Sequence, residues 1–288
     1  MGGKRRLNNQ FMNDLKTGHL SQIRKLVRDD RDLLLDIRAG YIDIYYKGHQ
    51  LLKLTQQSTS YRTQCDKKFK NDVEFPEVLD SFDDVQAFLN IVPGLKHAIA
   101  THRPSGNEVE MEQLLIRANN HEPGINSEYF IVDRQYAIRN ARFDMVGFYW
   151  GRDRRRSGQT VPLVLFEVKY GLHGGVEKLV AQVEQYHEAI SDHFEEFANE
   201  MESLFRQKVE LGLYSVLAKD GALDSLQLSR DVDTARIALV LADYNPHSKR
   251  LGRVDFNPDF FPHRIDVFSV GYGLWKANSE EASRSREQ

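Results

Sequence analysis

The chain has 288 residues, of which 41% are apolar and 28% are charged, and its net charge is −3. This is the composition of an ordinary globular protein, and it gives no overall positive charge for binding nucleic acid, so contacts with a polyanion must come from local basic patches. The single cysteine, Cys65, excludes an internal disulfide and is most simply a small buried side chain. No apolar run approaches the length of a membrane span and no signal peptide is recognisable, so we expect a cytoplasmic protein.

The first third of the chain predicts a small helical and antiparallel β region. Residues 1–8 are basic and are expected to be a disordered arm, and apolar residues from Phe11 to Val27 recur at helical spacing. Tyrosines near lysines and arginines in the following strands could bind nucleic acid, but the favoured interpretation is half-buried sheet residues. The predicted strands span about residues 32–38, 41–46 and 50–55, with a fourth near 60–65.

Two short helices are predicted next, separated by Pro93 and Gly94, at residues 82–92 and 95–101. A third helix follows Asn107, which is a good N-cap residue. Two of its glutamates, Glu108 and Glu112, fall within the apolar arc of the helix. A glutamate on a buried face is a candidate ligand for metal or water, whereas a first-turn glutamate can simply interact with the helix dipole. These alternatives are evenly balanced for Glu108, and Glu112 is the weaker candidate.

A β-hairpin is predicted between Arg142 and Lys169, because two apolar runs, RFDMVGFYW and VPLVLFEVKYG, flank the polar loop GRDRRRSGQT. Since strand side chains alternate between faces, Glu167 and Lys169 lie on the same face. Their strand is otherwise apolar, as expected for a central strand covered on both sides. Charges at such positions are costly unless they are paired or bind a metal. Asp144, Glu167 and Lys169 are therefore the first candidates for a functional site, and a buried Glu167–Lys169 ion pair is the structural alternative.

Strands and helices surround this hairpin in an α/β order. Residues 129–138 predict a strand before it, and a helix from about Val176 places Gln182 and Tyr186 on the face that packs against the sheet. A further helix at about 191–213 carries a stripe of phenylalanine and methionine, which indicates core packing or a homodimer contact. Strands at 235–244 and 264–270 extend the sheet, a loop at 245–262 carries Lys249, Arg250 and Arg253, and residues 276–288 are expected to be a disordered tail.

This order of motifs resembles the PD-(D/E)XK nuclease superfamily, with a RecB-like or Holliday-resolvase-like core. The resemblance covers about residues 105 to 192 and rests on a helix with Glu108 or Glu112, a strand with Asp144, a strand with Glu167-Val168-Lys169 and a helix with Gln182 and Tyr186. Phe143 stands where the motif has proline. The resemblance implies a restriction-endonuclease-like core, which is a mixed central sheet flanked by helices.

The resemblance also implies a Mg²⁺ or Mn²⁺ cofactor held by Asp144, Glu167, the Val168 carbonyl and Glu108, since these ions prefer oxygen ligands. Lys169 would position the attacking water or stabilise negative charge on the phosphate. By the same resemblance, Gln182 and Tyr186 would steady the site or contact the DNA backbone, with a polar cap on a packing helix as an equal alternative. Basic residues of the hairpin loop, above all Arg154 and Arg155, are candidate phosphate contacts, with a solvated turn as an equal alternative.

The sequence therefore predicts an α/β protein in three parts: an N-terminal helix and antiparallel β region (1–75), a nuclease-like domain (76–276) and a disordered tail (277–288). The expected function is metal-dependent hydrolysis of nucleic acid, with DNA favoured over RNA. The alternative is a non-catalytic nucleic-acid-binding or assembly module that retains the fold. A second alternative assigns recognition to the N-terminal sheet and leaves the core as its support.

Overall fold

The structure is a computed structural model that describes residues 4–70, 74–101, 107–122, 127–151, 160–171, 178–214, 223, 226–245, 247–248 and 264–273. Within these residues the protein is a mixed α/β fold with six α-helices and two five-stranded sheets. The helices are α1 (Asn9–Lys16), α2 (Ser21–Asp29), α3 (Phe82–Thr101), α4 (Asn107–His121), α5 (Leu179–Ser191) and α6 (Phe194–Glu210). No helix in these ranges is both long and apolar enough to cross a membrane.

The first sheet is antiparallel throughout and has the order β1-β2-β3-β4-β5. The three strands and the possible fourth strand predicted for the N-terminal region are confirmed. The fifth, β5, and the helix α3 also belong to this layer, although both follow residue 75. The strands are β1 (Leu33–Ile37), β2 (Tyr41–Tyr46), β3 (His49–Gln57), β4 (Ser60–Gln64) and β5 (Val78–Leu79).

The second sheet has the order β10-β9-β8-β7-β6. Its first three strands in the chain are antiparallel neighbours, whereas β9 and β10 continue the sheet in parallel with β8. A parallel step needs a crossover, and α5 and α6 lie between β8 and β9 in the chain. The predicted hairpin and its two C-terminal neighbours are confirmed. The strands are β6 (Tyr129–Ile138), β7 (Ala141–Tyr149), β8 (Leu163–Tyr170), β9 (Arg236–Ala242) and β10 (Arg264–Val270).

Helices cover both faces of the second sheet. On one face, Met111 of α4 packs in a cluster with Met145 and Val168. On the other face, Phe205 of α6 makes edge contacts with Phe130 and Phe148. The aromatic stripe of α6 is therefore core. Its buried members are Phe194, Phe197, Met201 and Phe205.

Two predictions for the N-terminal half are wrong. The arm is ordered from residue 4, because Arg5 forms a 2.5 Å ion pair with Asp133 and Leu7 is 3% exposed. Pro93 and Gly94 do not end a helix, since α3 runs through both of them. Both residues point to solvent, while Val92 and Leu95 on either side are buried, so the apolar face holds the helix together across the missing N–H.

The two sheets share one hydrophobic core, which includes residues from Leu7 to Ala235. They are also joined by buried charges. Arg38, which directly follows β1, donates to Asp133 of β6 at 3.0 Å. Lys208 of α6 donates to Asp36 of β1 at 2.9 Å. Each of these four residues is at most 5% exposed. The N-terminal sheet is thus packed and ion-paired against the sheet that carries the candidate site.

Candidate active site

Asp144 lies where the pairing of β7 with β8 ends. The paired residues run from Phe148–Leu163 to Met145–Phe166, and beyond that point Asp144 Oδ2 accepts a 2.8 Å hydrogen bond from the Val168 amide. The carboxylate therefore replaces a backbone acceptor and binds β7 to β8 at the end of the ladder. Because side chains alternate along each strand, Asp144 lies on the same face of the sheet as Glu167.

Glu167 is 1% exposed and is contacted on both carboxylate oxygens. Lys169, two residues further along β8, donates to Oε1, and the Tyr186 hydroxyl of α5 donates to Oε2. The same hydroxyl lies 3.0 Å from the Arg142 carbonyl oxygen. A phenol has one proton, so Tyr186 donates to one of these two acceptors at a time. Glu167 is consequently held in one orientation by β8 itself and by the helix that covers it.

The negative charge of the Asp144 and Glu167 carboxylates is not fully balanced by nearby positive charge. Burial, and then the negative charge of Glu167, raise the pKa of Asp144 to about 8, against the opposing effect of the Val168 amide. Burial by itself lowers the pKa of Lys169, but Glu167, Asp144 and Glu108 outweigh it and the pKa is raised. Lys169 therefore keeps its charge, and the carboxylates around it compete for that charge.

The two glutamates of α4 have different surroundings. Glu108 is half-buried beside Lys169 and receives a backbone hydrogen bond from Tyr170, while burial and Glu167 raise its pKa. Glu112 is fully buried, with its Oε1 at 2.6 Å from the donor Gln135 Nε2 and its Oε2 at 3.1 Å from Arg134 Nε. Glu108 is thus the α4 carboxylate that faces the lysine, and Glu112 is held by β6.

Glu112 nevertheless contributes to the field at the site. Burial raises its pKa to about 7, despite the opposing charge of Arg134 and the hydrogen bond from Gln135. It lies close enough to add a repulsive effect to the pKa of Asp144. Glu112 is therefore a neighbour of the site, bound through Arg134 to the N-terminal sheet, where the guanidinium stacks 4.7 Å from the ring centre of Tyr45.

The remaining predicted site residues are only partly described. Tyr186 lies at the site, whereas the predicted phosphate contacts Arg154 and Arg155 fall outside the described residues. Gln182 is one helical turn before Tyr186, and its Oε1 is a buried acceptor with no hydrogen-bond partner among the described residues. A buried amide oxygen without a donor is unfavourable, so Gln182 offers an acceptor at this end of α5.

Arg134 and Gln135 were missed by sequence reasoning. They lie in the strand YFIVDRQYAI, whose apolar and aromatic residues predict a strand but assign no role to Arg134 or Gln135. The pairing of β6 with β7 is irregular between Ile131 and Asp133, and Gln135 has a φ of 50°, so the strand turns these side chains away from a simple alternation. The cost of burying charge in an apolar strand was the signal that could have found them.

The donor set fits a hard divalent cation that keeps several of its waters. Among the residues that the structure describes, no group of three or more His, Cys, Asp or Glu side chains is arranged to hold a metal ion. Mg²⁺, however, is usually bound through one or two carboxylates together with water. Asp144 and Glu167 are two such carboxylates, and their mutual repulsion, which raises the pKa of Asp144, is what a cation would relieve.

No protein-family model matches the chain, and no curated protein matches it either. The functional assignment therefore depends on the side chains of this site and on the order of its helices and strands.

Proposed function

We propose that the protein is a metal-dependent nuclease that hydrolyses phosphodiester bonds of nucleic acid, with DNA the favoured substrate. The observation that carries this proposal is the convergence of Asp144, Glu167 and Lys169 on one face of β7 and β8, with Glu108 beside the lysine. A buried ion pair alone would need only Glu167 and Lys169, so the additional carboxylates are better explained by a bound cation and a reacting phosphate.

The order of elements supports a restriction-endonuclease-like core. The helix α4, the strands β6, β7 and β8, the helix α5 and the strand β9 follow one another, and the candidate residues lie on the helix and strands that the resemblance assigns to them. The single cysteine, which is buried and free, is consistent with a reducing compartment such as the cytoplasm.

In this proposal Asp144, Glu167 and the Val168 carbonyl hold Mg²⁺ or Mn²⁺. The ion would acidify a bound water and polarise the phosphate. Lys169 places its positive charge next to the position where negative charge develops on the phosphate oxygens. Glu108, which is half-buried and near enough to Lys169 for the two charges to interact, would accept a hydrogen bond from the attacking water. Tyr186 keeps Glu167 oriented, and its buried hydroxyl has a raised pKa, so it remains a hydrogen-bond donor.

The alternative is a non-catalytic nucleic-acid-binding or assembly module with the same fold. The complete set of Asp144, Glu167 and Lys169 disfavours it, because a non-catalytic member of such a fold would usually have lost one of the three. Recognition by the N-terminal sheet is also weakened, since the Lys53 ammonium lies 4.1 Å from the ring centre of Tyr41 and the Arg134 guanidinium lies 4.7 Å from that of Tyr45. These rings are already occupied by neighbours of the same chain.

The test is to incubate the purified protein with plasmid, single-stranded DNA and RNA in Mg²⁺, Mn²⁺ or EDTA. Cleavage is expected with metal and not with EDTA, and Lys169→Ala or Asp144→Asn should each reduce it by about 100-fold or more. Lys25→Ala, which removes an exposed lysine of α2, is the matched control and should cleave normally. Cleavage that survives the two site substitutions would overturn the site assignment, and binding without cleavage in every metal would favour the module.

A further inference from the structure

A cavity of about 140 Å³ lies at the junction of the two sheets, away from Asp144, Glu167 and Lys169. It is lined by residues from the end of α2, from β1 and β6, and from the C-terminal turns of α4 and α6. A cavity of about 150 Å³ can hold a benzene-sized molecule, so this one has room for a small organic or inorganic ion. Its lining is mixed and contains leucine and isoleucine side chains together with charged groups.

The polar groups around the cavity are predominantly cationic. Lys208 and Asp36 form the buried floor, where Lys208 also donates to the Val132 carbonyl at 2.8 Å. Arg28 and Arg31 are the exposed members of the lining and mark its opening. Asp36 is already neutralised, because both Lys208 and Arg38 donate to it. Three of the four charged side chains that line the cavity are cationic, so the net charge of the lining is positive, and Arg31 also lies 3.7 Å from the Glu122 carboxylate.

His121 lies in this positive electrostatic field. It is half-buried in the wall of the cavity against the ring of Tyr214, with 6.3 Å between the ring centres. Burial lowers the pKa of His121 to about 4, with further lowering by Lys208, Arg31 and Arg117, and Glu122 alone opposes them. A neutral imidazole surrounded by cations can donate one hydrogen bond to an anion without a charge of its own.

We infer that this cavity is a binding site for a small oxyanion, a phosphate or a short-chain carboxylate, held between Arg28, Arg31, Lys208 and His121. The negative charge of the ligand would interact with the arginines at the opening and with the buried lysine. A short apolar chain would contact the leucine side chains of the lining. The site uses none of the residues proposed for phosphodiester hydrolysis, so the inference of anion binding does not depend on that function.

Anion binding and protonation of His121 must be coupled. A negative charge in the cavity favours the imidazolium, so binding raises the pKa of His121, and by linkage the anion binds more tightly as the pH falls. The other titratable groups that face this histidine or line the cavity are Asp36, Lys208, Arg28, Arg31, Arg117 and Glu122.

The experiment titrates the full-length protein with inorganic phosphate and, separately, with butyrate at constant ionic strength against chloride. Binding is followed by calorimetry and by the NMR signals of the His121 ring. We expect saturable binding of at least one oxyanion, an upward shift of the His121 pKa, and roughly three- to tenfold weaker binding in Arg31→Gln. Phosphate binding without butyrate binding would identify the ligand class as phosphates, and the reverse would identify carboxylates.

Two variants make the test specific. Lys25→Gln removes a cation from the same helix as Arg28 but outside the cavity, and it should bind as the wild type does. Val27→Phe fills the cavity from α2, where Val27 is 8% exposed, and should abolish binding. The inference is overturned if neither oxyanion perturbs His121 beyond chloride, or if Arg31→Gln and Lys25→Gln weaken binding equally.

Discussion

At the scale of single residues, the candidate site depends on how an apolar strand tolerates Asp144, Glu167 and Lys169. The carboxylates are accommodated by one amide, one ammonium and one phenol, from Val168, Lys169 and Tyr186. These donors do not fully offset burial, because the pKa of Asp144 remains raised to about 8. Because neutral pH lies below this pKa, Asp144 is largely protonated there, and its titration should affect how stability depends on pH.

The first prediction concerns the pH dependence of Asp144. Its pKa of about 8 in the folded chain exceeds the unfolded value of about 4, so the folded state binds more protons between these values, and its contribution to stability declines as the pH rises through 8. Asp144→Asn should therefore gain stability relative to the wild type from pH 5 to pH 9, by about 1–2 kcal/mol. Urea unfolding at several pH values measures this difference.

The same titration predicts how metal affects the wild type. A divalent cation competes with the proton on Asp144, so metal should bind more tightly as the pH rises to about 8 and should remove the alkaline loss of stability. Parallel pH profiles of the wild type and the Asp144→Asn variant without Mg²⁺, or an alkaline loss of stability in the wild type that Mg²⁺ does not remove, would contradict this account.

The second prediction concerns the Tyr186 hydroxyl. Tyr186→Phe leaves Glu167 Oε2 and the Arg142 carbonyl without this donor, and it should cost about 1 kcal/mol of stability. Because Glu167 is then less firmly oriented, cleavage should fall and need more Mg²⁺ for half-maximal rate. Tyr61→Phe is the matched control, since Tyr61 donates to Asp14 at 2.6 Å in the N-terminal layer. It should lose similar stability and keep normal metal dependence, and equal effects of both variants on cleavage would show that Tyr186 acts only through stability.

At the scale of helices and strands, the patterns that were read correctly are those with a strong local cause. The strand YFIVDRQYAI and the hairpin around Asp144 follow from β-branched and aromatic runs bounded by turns. The continuity of α3 through Pro93 could not be predicted, because it depends on a buried face that exists only after the helix packs. The ordered conformation of residues 4–8 likewise could not be predicted from the sequence, since Arg5 is fixed by a partner 128 positions away.

The candidate site shows the same division. The shared face of Glu167 and Lys169 follows from strand periodicity, and their contact is present. Helical spacing places both Glu108 and Glu112 on the buried arc, so it does not decide which of the two approaches Lys169. The choice depends on Arg134 and Gln135, whose direction is set by the irregular pairing of β6 and is not encoded in any local pattern.

The third prediction separates the two glutamates of α4. Glu108 faces Lys169, so Glu108→Gln should lower cleavage by about 10-fold or more with little change in stability. Glu112 is engaged by Arg134 and Gln135, so Glu112→Gln should lower cleavage less. Because burial raises the pKa of Glu112 to about 7, its wild-type contribution to stability declines between about pH 4.5 and pH 7, and the variant should become relatively more stable over that range.

Glu110 provides the control for this comparison. It lies on the same helix, pairs with Lys47 at 3.1 Å near the surface, and Glu110→Gln should change neither cleavage nor stability by much. A larger loss of cleavage in Glu112→Gln than in Glu108→Gln would reverse the assignment of the α4 carboxylate.

At the scale of the whole molecule, the N-terminal sheet is structurally part of the candidate enzyme. Its apolar face shares a core with β6, β7 and α6, and its buried charges pair with charges of the second sheet. Arg134 connects the two regions, since it stacks on Tyr45 and pairs with Glu112 next to the site. A change in the N-terminal sheet should therefore reach the site through Arg134 and Glu112, although no residue of that sheet is proposed to touch the reacting phosphate.

The last prediction tests whether the predicted boundary at residue 75 separates independent domains. A chain that begins at residue 76 loses Asp36, the buried partner of Lys208, and both arginines that pair with Asp133. Lys208 and Asp133 are 3% and 1% exposed in the intact chain, so the truncation would leave them at an uncovered apolar surface. We therefore expect residues 76–288 to be unfolded or aggregated alone.

Far-UV circular dichroism and NMR dispersion of the two fragments, 1–101 and 76–288, check this expectation. Residues 1–101 contain the complete first sheet and α3, whereas a cut at 75 would remove β5 and α3 from that layer. In the full chain, Trp150 lies in the shared core and is 1% exposed, so its fluorescence and the circular dichroism should report one common unfolding transition. Two separate transitions, or a well-folded 76–288 fragment that cleaves nucleic acid, would show that the buried ion pairs between the sheets are dispensable and that the N-terminal sheet is a separable domain.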